Sequence, residues 1–262
     1  NPQRFAALCR VAARIGAEGV TGWRPQVIHC HDWQAGFVPD YLRHYGAEDV
    51  RTVLTIHNIA FTGPADPGLI PVLGLDPARY NPDGYEFYGR ISALKAGIVG
   101  VDRITTVSPT YAAELTTDDF GMGLGGLMRA RRPVLSGILN GIDEEAWNPA
   151  TDPHIAATYT APGGKAKAKA ALRSEMGLPA AAGPLCVVVS RLTEQKGLDL
   201  LIEALPTLLA RGGQLALLGS GNRWLEDAFR GAARDPNVAV RIGYDAALSH
   251  RLVAGGDAIL VP

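Results

Sequence analysis

The chain has 262 residues, 47% hydrophobic, 19% charged and 7% aromatic, a composition of ordinary globular α/β domains that excludes a disordered chain. Its 25 basic and 26 acidic residues leave a formal net charge of −1, so there is no broad positive field to hold nucleic acid or an anionic membrane, and any anion must be met locally. Cys9, Cys30 and Cys186 are scattered without C-x-x-C spacing, which excludes a disulfide framework or structural zinc and predicts buried thiols in a reducing cytoplasm; no apolar run reaches the ~20 residues of a membrane span.

At roughly 100–200 residues per domain, the length predicts two domains or parts of domains. A first helix is read over residues 5–15. A strand over 25–30 runs through His29-Cys30-His31-Asp32-Trp33-Gln34 into a helix over 34–45. That junction places His31 and Asp32 at the lip of a parallel sheet, His31 to hydrogen-bond a sugar and Asp32 to cap the helix. His29-x-His31 also resembles a hydrolase metal pair. Such a metal would need further ligands at later strand ends, where His57 falls but His154 and His250 do not.

The strand over 51–57 ends in His57-Asn58. An irregular Gly- and Pro-rich stretch follows through residue 83, a loop that covers a site or wraps the surface. Next come a helix over 85–99, a strand over 102–107 and a helix over 109–115. The glycine run over 121–126 is a hinge or a loop, and a strand covers 134–139. In Leu139-Asn140-Gly141-Ile142-Asp143 the Asn140 amide is placed to hold a sugar hydroxyl, or Asn-Gly is a plain turn. From 140 to 183 the strand pattern lapses among Pro and Gly around one helix, 165–176, whose Lys165, Lys167 and Lys169 read as a solvated face. Residues 144–183 are therefore assigned as an interdomain connection.

Strands at 185–190, 214–218, 238–242 and 258–261 alternate with helices at 198–210, 224–233 and 246–253. The short, often β-branched strands predict doubly wound α/β sheets, with ligands at the strands' carboxyl ends. Ser190-Arg191-Leu192-Thr193-Glu194-Gln195-Lys196-Gly197 leaves a strand and enters a helix. Arg191 and Lys196 can there clamp a diphosphate, stabilising a leaving nucleotide as its charge develops, or they are solvated cations. Leu218-Gly219-Ser220-Gly221 lets backbone approach a nucleotide. A dinucleotide fingerprint would need its third glycine at Trp224, which argues against a nicotinamide enzyme. Tyr244, after the strand at 238–242, stacks on a base or is a half-buried core tyrosine.

Eight stretches, in order, resemble the ADP-glucose-dependent glycogen and starch synthases: His31-Asp32-Trp33-Gln34-Ala35-Gly36, Thr55-Ile56-His57-Asn58, Leu94-Lys95-Ala96-Gly97, Thr106-Val107-Ser108-Pro109-Thr110-Tyr111-Ala112, Leu139-Asn140-Gly141-Ile142-Asp143, Ser190-Arg191-Leu192-Thr193, Gln195-Lys196-Gly197-Leu198-Asp199 and Gly213-Gln214-Leu215-Ala216-Leu217-Leu218-Gly219. The resemblance implies an α/β fold of two facing Rossmann-like, doubly wound domains, the GT-B type of glycosyltransferase. Residues 1–143 would be the later part of the acceptor-side domain and 184–262 the first part of the nucleotide-sugar-binding domain. It implies glucose transfer from ADP-glucose to glycogen or another α-1,4-glucan, with retention, no metal and no cofactor. Arg191 and Lys196 would bind the diphosphate, with His31 and Asn140 beside the transferred glucose and Ser190, Gly219 and Tyr244 as further donor contacts. UDP-glucose-dependent relatives would share the clamp.

The family's Lys-Thr-Gly-Gly-Leu loop would precede Asn1 and its Glu-x-Cys-Gly-Leu motif would follow Pro262. The chain is therefore expected to be an internal fragment of that family. By itself it is expected to bind donor weakly and to turn over poorly or not at all.

Overall fold

The computed structural model describes residues 1–262 apart from the side chain of Pro162, and the chain divides into two units, Asn1–Gly141 and Ile142–Pro262. The first unit contains, in order, α1 (Pro2–Glu18), β1 (Val27–His31), α2 (Val38–His44), β2 (Arg51–Ile56), β3 (Pro64–Ala65), α3 (Ile70–Leu73), β4 (Glu86–Phe87), β5 (Arg90–Ser92), α4 (Ala93–Gly100), β6 (Arg103–Thr106), α5 (Pro109–Glu114), α6 (Gly125–Ala130) and β7 (Leu135–Gly137). Its main sheet is parallel, in the order β1-β2-β6-β7. The register sets Cys30 beside Leu54 and Leu54 beside Ile104, an apolar row that is fully buried. Helix α4 crosses the turn after β1 so closely that a Cβ on Gly36 would lie 1.8 Å from the Ala93 carbonyl oxygen, so only glycine fits there.

Residues 85–99 are not one helix as expected. They form the β4–β5 hairpin of a small antiparallel sheet, order β3-β5-β4, followed by the shorter α4. Tyr88 and Gly89 both take positive φ, 50° and 75°, the backbone of a tight hairpin turn. Ser92 then starts α4 by accepting from the Lys95 N–H at 3.1 Å. A tyrosine in the left-handed region gives no local sign of a turn, and that hid the hairpin. The stretch after His57 likewise holds β3 and α3, and the glycine run at 121–126 runs into α6.

The second unit contains α7 (Lys165–Met176), β8 (Leu185–Val189), α8 (Leu198–Ala210), β9 (Gln214–Gly219), α9 (Arg223–Ala232), β10 (Val238–Ile242), α10 (Ala246–Gly255) and β11 (Ala258–Ile259) in a parallel sheet ordered β10-β9-β8-β11. Strand β9 shows why the sheet is doubly wound. Leu215 and Leu217 pack with Leu198, Leu201, Leu225 and Phe229 of α8 and α9, while Ala216 and Leu218 pack with Leu172, Leu248 and Leu252 of α7 and α10. Residues 144–183 belong to this unit. The lysines of α7 are not simply solvated: Lys169 Nζ donates to Asp257 at 2.5 Å and Lys165 Nζ to the Val253 carbonyl at 3.3 Å, tying α7 to the far end of α10. Among the described residues no helix is long and apolar enough to cross a membrane.

Candidate functional site

Each unit presents a cluster at the carboxyl ends of its parallel strands, where open α/β sheets hold ligands. In the second unit, the interior strand β8 runs into Ser190, Arg191 and Leu192. Leu192 is fully buried and anchors the loop, accepting from the Asn222 N–H at 2.7 Å and donating its own N–H to the Ser220 carbonyl at 3.0 Å. Arg191 and Lys196 stay exposed, and among the described residues neither enters an ion pair. Lys196 closes a short 3-10 turn, and Gly197, left-handed at φ 66°, then opens α8 with no side-chain cap and with Asp199 in its first turn. Two exposed cations thus stand beside a helix start that has no side-chain cap, groups of the kind that can meet an anion.

Gly219 and Gly221 have a packing reason of their own. A Cβ on Gly219 would lie 2.0 Å from the Ser190 carbonyl oxygen, and one on Gly221 2.2 Å from that of Leu192. The glycines therefore let the loop after β9 lie against the Arg191 loop. Glu226 in the first turn of α9 accepts from the Gly221 N–H at 3.0 Å, so this helix start carries its own carboxylate. Ser190 Oγ donates to the Arg191 carbonyl at 3.1 Å. Tyr244 is 92% exposed, not half-buried, and borders a cavity of about 300 Å³ with Glu175, Arg241 and Asp245.

In the first unit, His31 ends β1 and its Nδ1 lies 3.0 Å from His57 Nε2, just beyond β2. His29 Nε2 lies 2.7 Å from the Thr55 hydroxyl. The rings follow one another, His29 to His31 at 4.4 Å and His31 to His57 at 5.3 Å between centroids. Partial burial, reinforced by neighbouring His31 and His57, pushes the His29 pKa down. Asp32 does not cap the following turn. Its backbone is in an unusual left-handed conformation, φ 52° and ψ −165°, and its Oδ1 reaches across to accept from the N–H groups of His57 at 2.7 Å and Asn58 at 3.4 Å.

The Asn140 amide is exposed and makes no hydrogen bond among the described residues. Strands β1 and β7 flank the sheet on opposite edges, so the strands carrying His31 and leading to Asn140 are three strand spacings apart, roughly 14 Å. The metal reading of His29 and His31 finds no support. Among the described residues no group of three or more His, Cys, Asp or Glu could hold a metal ion.

The model of the starch synthase catalytic domain matches residues 1–130. The glycogen synthase of Paracoccus denitrificans (strain Pd 1222) is 62% identical over all of this chain and 55% of its own length. The catalytic domain of starch synthase IV from Arabidopsis thaliana, solved bound to ADP and acarbose, superposes with a TM-score of 0.88 at 36% identity, over 99% of this chain and 56% of that one. The chain belongs to the glycogen and starch synthase family. It spans about half the length of the curated relatives it matches. Anabaena HepE, solved with UDP and glucose, covers 97% of this chain at a TM-score of 0.55 and 15% identity, a likeness of fold alone. The α/β fold expected from the synthase motifs, of GT-B type, is the one these glycosyltransferases share.

Sequence reasoning missed the contact of His57 with His31, because it depends on the register of β1 against β2. It also missed a cluster in the second unit: His250 Nδ1 lies 2.7 Å from buried Asp152, Trp147 stacks on His250 at 3.9 Å, and His154 packs beside it at 4.9 Å. Four residues from a segment read as a linker and a helix carried no shared local pattern. Glu226 was visible as an acid in a helix's first turn.

Proposed function

We propose that this chain carries the donor-binding and glucose-binding clusters of a glucosyltransferase that moves glucose from ADP-glucose to the non-reducing end of an α-1,4-glucan, with retention at the anomeric carbon. The observation that carries the reading is the pair of exposed, unpaired cations Arg191 and Lys196 at the end of β8, in a chain 62% identical to a glycogen synthase. In this reading the bond from the anomeric carbon to the diphosphate oxygen breaks as the acceptor's 4-hydroxyl oxygen bonds to that carbon from the same face. The hydroxyl proton leaves with ADP. Arg191 and Lys196 neutralise the charge gathering on the diphosphate, the main catalytic contribution, and the uncapped start of α8 adds its dipole.

Ser190 and Gly219 line the donor's approach, Tyr244 offers a ring face to the base, and His31 and Asn140 hold hydroxyls of the transferred glucose. That the Arabidopsis starch synthase IV was solved with ADP supports an adenine nucleotide here. The reaction we propose draws on no metal or cofactor and takes place in the cytoplasm, where the three buried free thiols would stay reduced. Grafting the chain in place of the matching half of the Paracoccus denitrificans enzyme tests it. Transfer of labelled glucose from ADP-glucose to glycogen, lost on Arg191→Ala, is expected. A chimera that folds but uses UDP-glucose, or neither donor, contradicts the assignment.

A further inference from the structure

His31 has an exposed ring with two nitrogens, and what it offers a ligand depends on which nitrogen carries the proton. We propose that His57 is a positioning residue that fixes His31 in its Nε2–H form, so that His31 presents a hydrogen-bond donor to the sugar it meets. The part of this inference that concerns sugar rests on the function proposed above; the part that concerns the proton does not.

His31 Nδ1 and His57 Nε2 lie 3.0 Å apart, a hydrogen-bond contact. Between two neutral rings it can be made in only two ways. In the first, His57 donates from Nε2–H to the bare Nδ1 of His31, and both rings are Nε2–H tautomers. In the second, His31 donates from Nδ1–H to the bare Nε2 of His57, and both rings are Nδ1–H tautomers. Free imidazole side chains favour Nε2–H, so the first arrangement satisfies two intrinsic preferences and the second violates two. Nothing else in the structure opposes that choice, since among the described residues neither His31 Nε2 nor His57 Nδ1 has a hydrogen-bond partner.

The geometry is held from below. Asp32, next to His31 in sequence, keeps an unfavourable left-handed backbone so that its carboxylate can take the His57 N–H at 2.7 Å. The Asp32 N–H in turn donates to the Thr55 carbonyl at 2.9 Å. The ends of β1 and β2 are thus stitched through one residue whose strain is offset by those bonds, a pattern concentrated at functional positions. Ring stacking alone would need neither the stitch nor the nitrogen alignment.

Long-range proton–nitrogen NMR correlation of the 262-residue chain, at alkaline pH where imidazoles are neutral, reads the tautomer directly, with the His31 signals assigned from His31→Gln. Wild type is expected to show His31 purely as Nε2–H. His57→Gln places an amide N–H near the lost Nε2–H and should keep that pattern, whereas His57→Phe keeps the ring stack but no donor and should give a mixture of tautomers. An Nδ1–H pattern in wild type, or a His57→Phe spectrum unchanged from wild type, overturns the proposal. In the chimera, His57→Phe should lower kcat about tenfold with the KM for ADP-glucose little changed, and His57→Gln should restore it. Equal kcat in wild type and His57→Phe also overturns it. A wild-type chimera without transfer activity defeats the functional reading instead, while the spectra still decide the tautomer.

Discussion

The stitch at Asp32 yields a stability prediction in which two effects have opposite signs. Replacing Asp32 with Ala removes a charged acceptor from the His57 N–H at 2.7 Å and a weaker one from Asn58, but leaves the backbone at φ 52°. Hydrogen bonds to charged groups contribute about 1.5–3 kcal/mol, and because the His57 N–H is near solvent the lower part of that range applies, about 2 kcal/mol. Asp32→Gly loses the same bonds but relieves about 1 kcal/mol of left-handed strain, so it should cost only about half as much. Asp32→Asn keeps the Oδ1 acceptor and should cost less than about 1 kcal/mol. Urea unfolding followed by tryptophan fluorescence, with Trp147 and Trp224 of the second unit replaced by Phe, isolates the first unit. With a slope of about 2 kcal/mol per molar urea, Asp32→Ala should lower the midpoint by about 1 M and Asp32→Gly by about 0.5 M. Asp32→Gly as damaging as Asp32→Ala would refute the strain argument, and a neutral Asp32→Ala would refute the hydrogen bond.

Gly36→Ala drives a methyl into the Ala93 backbone and should cost about 3 kcal/mol or prevent folding of the first unit, whereas Gly141→Ala, with nothing within 4 Å, should leave the melting temperature unchanged. Burial pushes the Cys9 thiol up to about 11 and the Cys30 thiol up to about 12, so at pH 8 both should react with maleimide about a hundredfold more slowly in the native chain than in denaturant; rapid labelling would contradict their burial. At Asp152, burial raises the carboxyl pKa but is outweighed by the His154 N–H and His250, which hold it below the usual range. Its contribution is then complete above the ordinary carboxylate pKa and is lost as pH falls through the lowered value. Asp152→Asn should weaken the second unit at about pH 7, and the difference from wild type should shrink as pH falls below the ordinary carboxylate range, as calorimetry would show.

The fold was legible where periodicity and punctuation agree. The helices at 165–176 and 198–210 and the strand at 238–242 stand where apolar spacing put them, since each is bounded by Gly or a charged turn. Reading failed where tertiary contacts set the backbone. Tyr88 adopts a turn conformation that its side chain disfavours, and the lysines of α7 find partners about 88 residues away. At the candidate site, Arg191 and Lys196 were visible because a strand-to-helix junction localises them. The roles of Asp32 and His57 were not, because each depends on which strand lies beside β1. The extreme exposure of Tyr244 was equally hidden, since the fate of a tyrosine after a strand depends on what packs over it.

Whether the cations at the end of β8 hold an ADP-sugar is decided by calorimetric titration of ADP-glucose and UDP-glucose into the chimera and its Lys196→Ala variant. ADP-glucose binding that exceeds UDP-glucose binding and is lost in Lys196→Ala is the predicted result. Donor binding that survives the loss of Lys196, or a preference for UDP-glucose, would contradict it.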